Sequence, residues 1–337
     1  MIKSMYSGIS GMNAQQKKLD VIGNNIANSG TTAFKSSSVT FQDTMRETIG
    51  KGSGPVLALG GSNPKQIGMG VQLQSINVNT GQGSLNPTGR PLDNAIDGNG
   101  YFIVGKGSIT DTIKFSDQGV IGAADDAADD GAMEVYYTRD GEFKRDSTGN
   151  LVTPDGYRVM GYAIDGSITH KDGTTTVIKV PVVDDDGKAA DLKAGDELIP
   201  LVIPETIGDP GVRLVGYTIE KDGLIKATLE DNSVVAIGQI AMASFVNDSG
   251  LQSVGGNKVS PSANSGEPIL RPGKGNDTRP GAEKAYGDII NGMLEMSNVD
   301  LAVEFTEMIV ASRSFQACSK VITTGDEILQ ELVNLKR

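Results

Sequence analysis

Both ends of the chain carry an apolar stripe at helical spacing, and the long middle does not. Near the N-terminus, Met5, Ile9, Met12, Gln16, Leu19, Gly23 and Ile26 recur at alternating intervals of four and three, with Val21 and Ile22 widening the stripe. That interval keeps side chains on one face of a helix and suits it to lie along another helix. Asn24-Asn25 and Asn28-Ser29-Gly30 weaken and then end the pattern. Near the C-terminus, Leu301, Phe305, Met308, Ser312, Phe315, Ser319, Ile322, Asp326, Leu329 and Val333 repeat the same interval, broadened by Ile309, Ile328, Leu332 and Leu335. Ser297-Asn298 supplies candidate N-caps, with Asp300 in the first turn and Lys336-Arg337 in the last. At ~1.5 Å per residue this helix runs roughly 50 Å. The polar or small seam positions Gln16, Gly23, Ser312, Ser319 and Asp326 do not make a tight, self-sufficient dimer. They suit helices placed among several neighbours.

Between these ends the chain reads as β. Residues 31–70 lack periodicity, and the Gly50–Pro55 and Gly60–Pro64 clusters mark an extended connecting segment. Residues 71–280 show period-two runs. Val71-Gln72-Leu73-Gln74 alternates, and Ile76-Asn77-Val78 alternates in the other phase, which predicts a bulge near Ser75. Tyr101-Phe102-Ile103-Val104 is a short buried run, and Val215–Ile219 and Ile225–Leu229 flank Asp222-Gly223 as a hairpin. Asp-Gly occurs eight times, which with few helical signals means repeated tight turns and antiparallel strands. The 44 glycines among 337 residues fit a body rich in turns. Residues 165–210, interrupted by Pro181, Pro200 and Pro204, read as an inserted smaller β subdomain, and 261–284 as a linker.

The expected fold class is α + β. The N- and C-terminal helices form a coiled-coil-like antiparallel pair, from which an antiparallel β body projects. The expected division is an N-terminal helix over 1–30, the connecting segment over 31–70, the β domain over 71–164 and 211–280, the insert over 165–210, and linker plus C-terminal helix over 281–337. The candidate self-assembly residues are Met5, Ile9, Met12, Leu19, Ile22, Ile26, Leu301, Phe305, Met308, Phe315, Ile322, Leu329 and Val333. Met5, Met12, Met293, Met296 and Met308 read equally as core filler or as an adaptable interface.

Composition narrows the function classes. A net charge of −12 disfavours both nucleic acid and anionic lipid as main partners. Cys318 is the only cysteine and His170 the only histidine, so an internal disulfide, a thiolate zinc site and any two-histidine mechanism are excluded. No run of 18 apolar residues is present, and the N-terminus has no apolar core of a cleavable signal peptide.

The candidate chemistry dissolves on inspection. His170 sits in the polar stretch Thr169–Gly173 and reads as a solvated turn residue. Aligning Asp126 with the first position of a calcium loop puts Ala128 and Tyr137 where ligands are required, so Asp125–Asp130 reads as a solvated acidic loop. Asp184-Asp185-Asp186 fails in the same way. Gly98-Asn99-Gly100 precedes a strand and lacks the third glycine of a dinucleotide motif, so it reads as a hairpin turn. A surface hydrolase or binding module would depend on His170 or the acidic loop. No cofactor is expected.

Three stretches carry more specific wording. Ser10-Gly11-Met12-Asn13-Ala14-Gln15-Gln16, Leu19-Asp20-Val21-Ile22-Gly23-Asn24-Asn25-Ile26-Ala27-Asn28 and Phe34-Lys35-Ser36 resemble the N-terminus of bacterial flagellar axial proteins. Leu294-Glu295-Met296-Ser297-Asn298-Val299-Asp300, Phe305-Thr306-Glu307-Met308-Ile309 and Ser314-Phe315-Gln316-Ala317 resemble the matching C-terminal signature. Thr88–Phe102 and Tyr137-Thr138-Arg139-Asp140-Gly141-Glu142-Phe143 resemble β-domain motifs of the hook and rod members. The resemblance implies a non-enzymatic subunit of a tubular homopolymer in the extracellular flagellum, exported by the type III apparatus without a cleaved signal. Implied partners are copies of the chain, that export apparatus, and other axial proteins such as the distal rod, hook cap and hook–filament junction. Chain length and the 165–210 segment point to a hook subunit, a flexible coupling that transmits torque. A rigid distal-rod subunit is the alternative.

Overall fold

The computed structural model describes residues 2–54, 60–108, 113–114, 133–165, 167–171, 174–178, 180–182, 192–208, 211–275 and 286–335. The chain forms two compact units. One unites Met1–Gly30, Lys35–Asn79 and Asn298–Arg337, and the other comprises Thr31–Phe34 and Thr80–Ser297.

The first unit holds helices α1 (Ile2–Ala27) and α2 (Leu301–Asn334) and strands β1 (Ser37–Asp43), β2 (Arg46–Gly50), β3 (Lys65–Gly68) and β4 (Val71–Val78). Helix α1 ends just before Asn28-Ser29-Gly30, as the sequence predicts. Helix α2 is capped by Asp300, whose carboxylate accepts the backbone N–H groups of Ala302 at 2.9 Å and Val303 at 3.3 Å. This corrects the expected cap at Ser297-Asn298. A carboxylate satisfies free amides and also favours the positive end of the helix dipole. Asn298 is engaged elsewhere: its Oδ1 accepts from the Ser36 N–H at 2.7 Å and its Nδ2 donates to the Asn79 carbonyl at 2.8 Å.

The expected connecting segment is two antiparallel ribbons, β1 with β4 and β2 with β3. Residues 71–78 therefore belong with the terminal helices rather than with the β body. The alternation of β4 was visible, but β1 mixes serines and threonine with Val39 and Phe41, and strand partners are set by tertiary context. The β1–β4 register shifts between Thr40, opposite Ser75, and Phe41, opposite Leu73, so the expected bulge falls at Gln74.

The second unit is built on an antiparallel sheet. Its main path runs Thr206–Ile207, Val212–Ile219, Leu224–Leu229, Val234–Ile240, Arg158–Ile164, Tyr101–Lys106, Glu134–Thr138, Lys258–Ser260, Gln252–Gly255. Two apolar clusters fill it. Phe102 lies in one with Leu201, Ile225 and Ile237, while Tyr101 and Ile103 lie in the other with Tyr137, Met160 and Leu198. Successive strand residues face opposite sides, so a strand covered on both faces shows no polar alternate. The hairpin at Asp222-Gly223 forms as expected, with Gly223 at φ +86° and Ile219 opposite Ile225.

Among the described residues, much of segment 165–210 merges into this body instead of standing apart. Ala194–Pro200 pairs with Arg158–Ile164, Val180–Pro181 pairs with Val234–Ile240, and Ile199, Leu201, Ile203 and Ile207 are buried in its core. The short apolar runs around Pro181, Pro200 and Pro204 are strands and core residues of the body, whereas Ile168–Lys171 and Thr174–Val177 pair with each other as a two-stranded sheet of their own. Gly98-Asn99-Gly100 is likewise not a hairpin turn. Asn94–Asp97 pairs with Asp288–Asn291, whereas Tyr101–Lys106 joins the main sheet. The chain crosses between sheets there, with Gly98 at φ +120° and Gly100 at φ +134°. His170 lies in strand Ile168–Lys171 opposite Thr175, not in a turn. The acidic runs Asp125–Asp130 and Asp184–Asp186 lie outside the described residues.

Candidate assembly interface

Helices α1 and α2 run antiparallel against each other, and glycines set how closely they approach. A β-carbon at Gly8 would lie 3.2 Å from Ile322 Cγ1, one at Gly11 would lie 3.0 Å from Cys318 Sγ, and one at Gly325 would lie 3.2 Å from Met5 Cγ. Further along, Lys18 pairs with Glu307 at 3.2 Å. Asn25 and Glu304 close the pair. The buried Asn25 Nδ2 donates to Glu304 Oε1 at 2.8 Å and to the Ser37 carbonyl at 2.8 Å, while Asn25 Oδ1 accepts the Ser37 N–H at 3.0 Å.

On α2 the side turned to α1 runs through Glu304, Met308, Ala311, Phe315, Cys318, Ile322, Gly325 and Leu329. It keeps Met308, Phe315, Ile322 and Leu329 from the expected seam. It replaces Ser312, Ser319 and Asp326 by their neighbours Ala311, Cys318 and Gly325. Both choices satisfy a four-three rhythm. The small residues win because they admit a close approach, Cys318 facing Gly11 and Gly325 facing Met5, which counting intervals does not reveal.

Of the candidate assembly residues, Ile22 is buried. Met5, Met12, Leu19, Ile26, Met308, Phe315, Ile322 and Leu329 are half-buried. Ile9, Leu301, Phe305 and Val333 are exposed. Sequence reasoning missed Val303, Val310 and Val321, which with Ile328, Leu332 and Leu335 form a second outward stripe on α2. Its signal was present as another heptad-spaced set on the same helix. Asn25 was also missed as a contact between the helices, being read as a helix-weakening residue and as part of the N-terminal motif.

The arrangement offers apolar surface and register-setting polar contacts rather than reactive groups. Among the described residues, no three His, Cys, Asp or Glu side chains are grouped to hold a metal. No helix among them is long and apolar enough to cross a membrane.

Three family models match the chain. One described as a flagella basal body rod protein covers residues 5–35, the D1 domain of flagellar hook protein FlgE/F/G covers 127–227, and the C-terminal region of flagellar basal body rod FlgEFG protein covers 290–335. The flagellar basal-body rod protein FlgG of Bacillus subtilis (strain 168) is 40% identical over 339 residues, covering 100% of both chains. The chain belongs to the flagellar rod and hook protein family. FlgG of Buchnera aphidicola subsp. Schizaphis graminum is 30% identical, covering 99% of this chain and 100% of that protein. The flagellar hook protein FlgE of Borreliella burgdorferi is 27% identical in an alignment of 474 residues that covers 100% of both. The chain is thus a structural subunit of the flagellar hook or rod, and not an enzyme. The terminal family matches cover most of α1 and all of α2, with Gly8, Gly11 and Asn25 in the first and Glu304, Cys318 and Gly325 in the last.

Proposed function

We propose that this chain is a distal-rod-type subunit that polymerises with copies of itself into a rigid shaft of the flagellar basal body. The observation that carries this reading is the end-to-end match to a rod protein at 40% identity. The hook alignment runs to 474 positions against 337 residues here, so the hook protein contains segments that this chain lacks. Chain length and the 165–210 segment point to a hook subunit, but a rod relative matches over its whole length and parts of that segment pair within the β body, so neither separates hook from rod.

The outward stripes support assembly. Phe305 is 50% exposed and Val310 is 55% exposed, and neither is covered by α1. In a polymer, neighbouring helices bury such surface at about 25 cal/mol per Å². Contacts between different patches propagate into open helical tubes rather than closed dimers. The thirteen candidate residues then divide the work: Ile22 and the eight half-buried ones hold α1 to α2, and Ile9, Leu301, Phe305 and Val333 meet neighbouring copies. Export by the flagellar type III apparatus without a cleaved signal, and end contacts with other axial proteins, belong to the same proposal.

The full-length chain should be induced to polymerise and imaged by electron microscopy. Straight, stiff tubes support the rod reading. Curved, bendable tubes would shift it to the hook. Deleting residues 300–337 should abolish tubes altogether, and tubes formed by that truncation overturn the assembly role of α2.

A further inference from the structure

The second unit contains a buried ion pair that assembly through the helices does not use. Arg139 is 6% exposed and the Glu295 side chain is fully buried. Arg139 Nη1 donates to both carboxylate oxygens of Glu295 at 3.4 Å, its Nε donates to the Gly100 carbonyl at 3.0 Å, and its Nη2 donates to the Gly98 carbonyl. The guanidinium also lies 5.5 Å from the centre of the Tyr101 ring.

Glu295 is the meeting point of three segments. Its carboxylate accepts the Gly83 N–H at 2.8 Å, and its backbone carbonyl accepts the Ala33 N–H at 2.8 Å. Its own strand, Met293–Glu295, pairs with Leu85–Pro87, and the next amide, of Met296, donates to the Ser84 carbonyl at 2.9 Å. Thr32, beside Ala33, gives its carbonyl to Asn257 Nδ2 at 2.9 Å, and its hydroxyl bonds the Asp140 carboxylate next to Arg139. A side chain at position 83 is impossible here, because a β-carbon would stand 2.0 Å from the Met296 carbonyl oxygen.

These three segments are where the chain leaves the second unit, at residues 31 and 34, at 80 and at 297. We infer that the Arg139–Glu295 pair is an anchor that gathers all these exits of the second unit onto its β body. Glu295 is the positioning residue and Arg139 the tie to the sheet. A buried carboxylate that loses its cation is strongly disfavoured, so the pair does not open in place and the segments it holds cannot part independently. Why a subunit needs such an anchor rests on the polymer reading: neighbours that grip the first unit pull on these exits. The anchor itself is a property of the free chain, so its test does not depend on assembly.

Hydrogen exchange with mass spectrometry on the full-length chain tests it. In Arg139→Met, peptides containing Ala33 and Gly83 should exchange at least ~10-fold faster, while the Val234–Ile240 strand keeps its protection. Glu295→Gln, which keeps shape and an acceptor for Gly83, should show the same contrast more weakly and serves if Arg139→Met does not fold. The double variant should recover part of the protection lost in Arg139→Met, since it removes the stranded charge. Unchanged rates at Ala33 and Gly83 overturn the anchor, and so does an equal acceleration in the Val234–Ile240 strand.

Discussion

Cys318 of α2 fills the notch that Gly11 leaves in α1, its Sγ standing 3.0 Å from where a Gly11 β-carbon would be. The lone cysteine is thus a packing residue of intermediate exposure, matched to a glycine on the facing helix. A larger side chain in this notch should push the helices apart. Gly11→Leu is expected to destabilise the first unit by about 1–3 kcal/mol through overpacking. Cys318→Ser, which nearly keeps the volume, should cost less. Thermal melting followed by far-ultraviolet circular dichroism measures both, and a Gly11→Leu chain that melts like the parent refutes the close approach.

Asn25 ties the end of α1 to Glu304 and to both backbone groups of Ser37. Asn25→Ala should cost about 1–3 kcal/mol, because buried partners lose their hydrogen bonds. Asn25→Asp is the sharper variant, since it sets one carboxylate against another where an amide now donates. Two close carboxylates repel at neutral pH, and one takes up a proton as pH falls. The penalty of Asn25→Asp relative to the parent should therefore shrink between pH 7 and pH 4 in urea unfolding. A penalty independent of pH would remove Glu304 from the account.

Burial pushes the Tyr101 hydroxyl up to about 12 and raises that of Tyr137 as well. In the unfolded chain both titrate near the ordinary 10.0. Between about pH 10 and 12 the unfolded state has lost protons that the folded state retains, so stability is complete below that window and falls as pH rises through it. Melting temperatures of the full chain should drop across this range. Tyr101→Phe/Tyr137→Phe should flatten much of that alkaline slope, and an unaltered slope would show that other groups govern it.

The outward stripe of α2 makes assembly separable from folding. Val310 and Ile328 are exposed, so Val310→Asp/Ile328→Asp should change subunit stability by no more than about 0.5 kcal/mol per site. Polymerisation, followed by light scattering or sedimentation, should fail, because burying a carboxylate among apolar neighbours is costly. Normal tubes from this variant would place the contacts on another face.

Local spacing was enough to reveal two terminal helices, the hairpin at Asp222-Gly223, the bulge beside Ser75 and the turn-rich body. Each follows from interactions within a few residues, where side-chain period and turn chemistry act directly. The motifs at both ends and around Arg139 also carried the family resemblance. Segment 71–78 was legible as a strand but not as the partner of residues 37–43. Three positions of the α2 seam were displaced by one residue, to Ala311, Cys318 and Gly325, because small residues there admit a helix whose Met5 and Gly11 lie some three hundred positions away. Ser297-Asn298 has the composition of a cap, but Asn298 is bonded to Ser36 and Asn79, and Asp300, expected in the first turn, caps the helix instead. Asn25 with Glu304, and Arg139 with Glu295, lie 279 and 156 residues apart in the chain, and no interval rule connects them. Contacts of that kind depend on which surfaces meet, and their energies exist only once the distant segments are already in place.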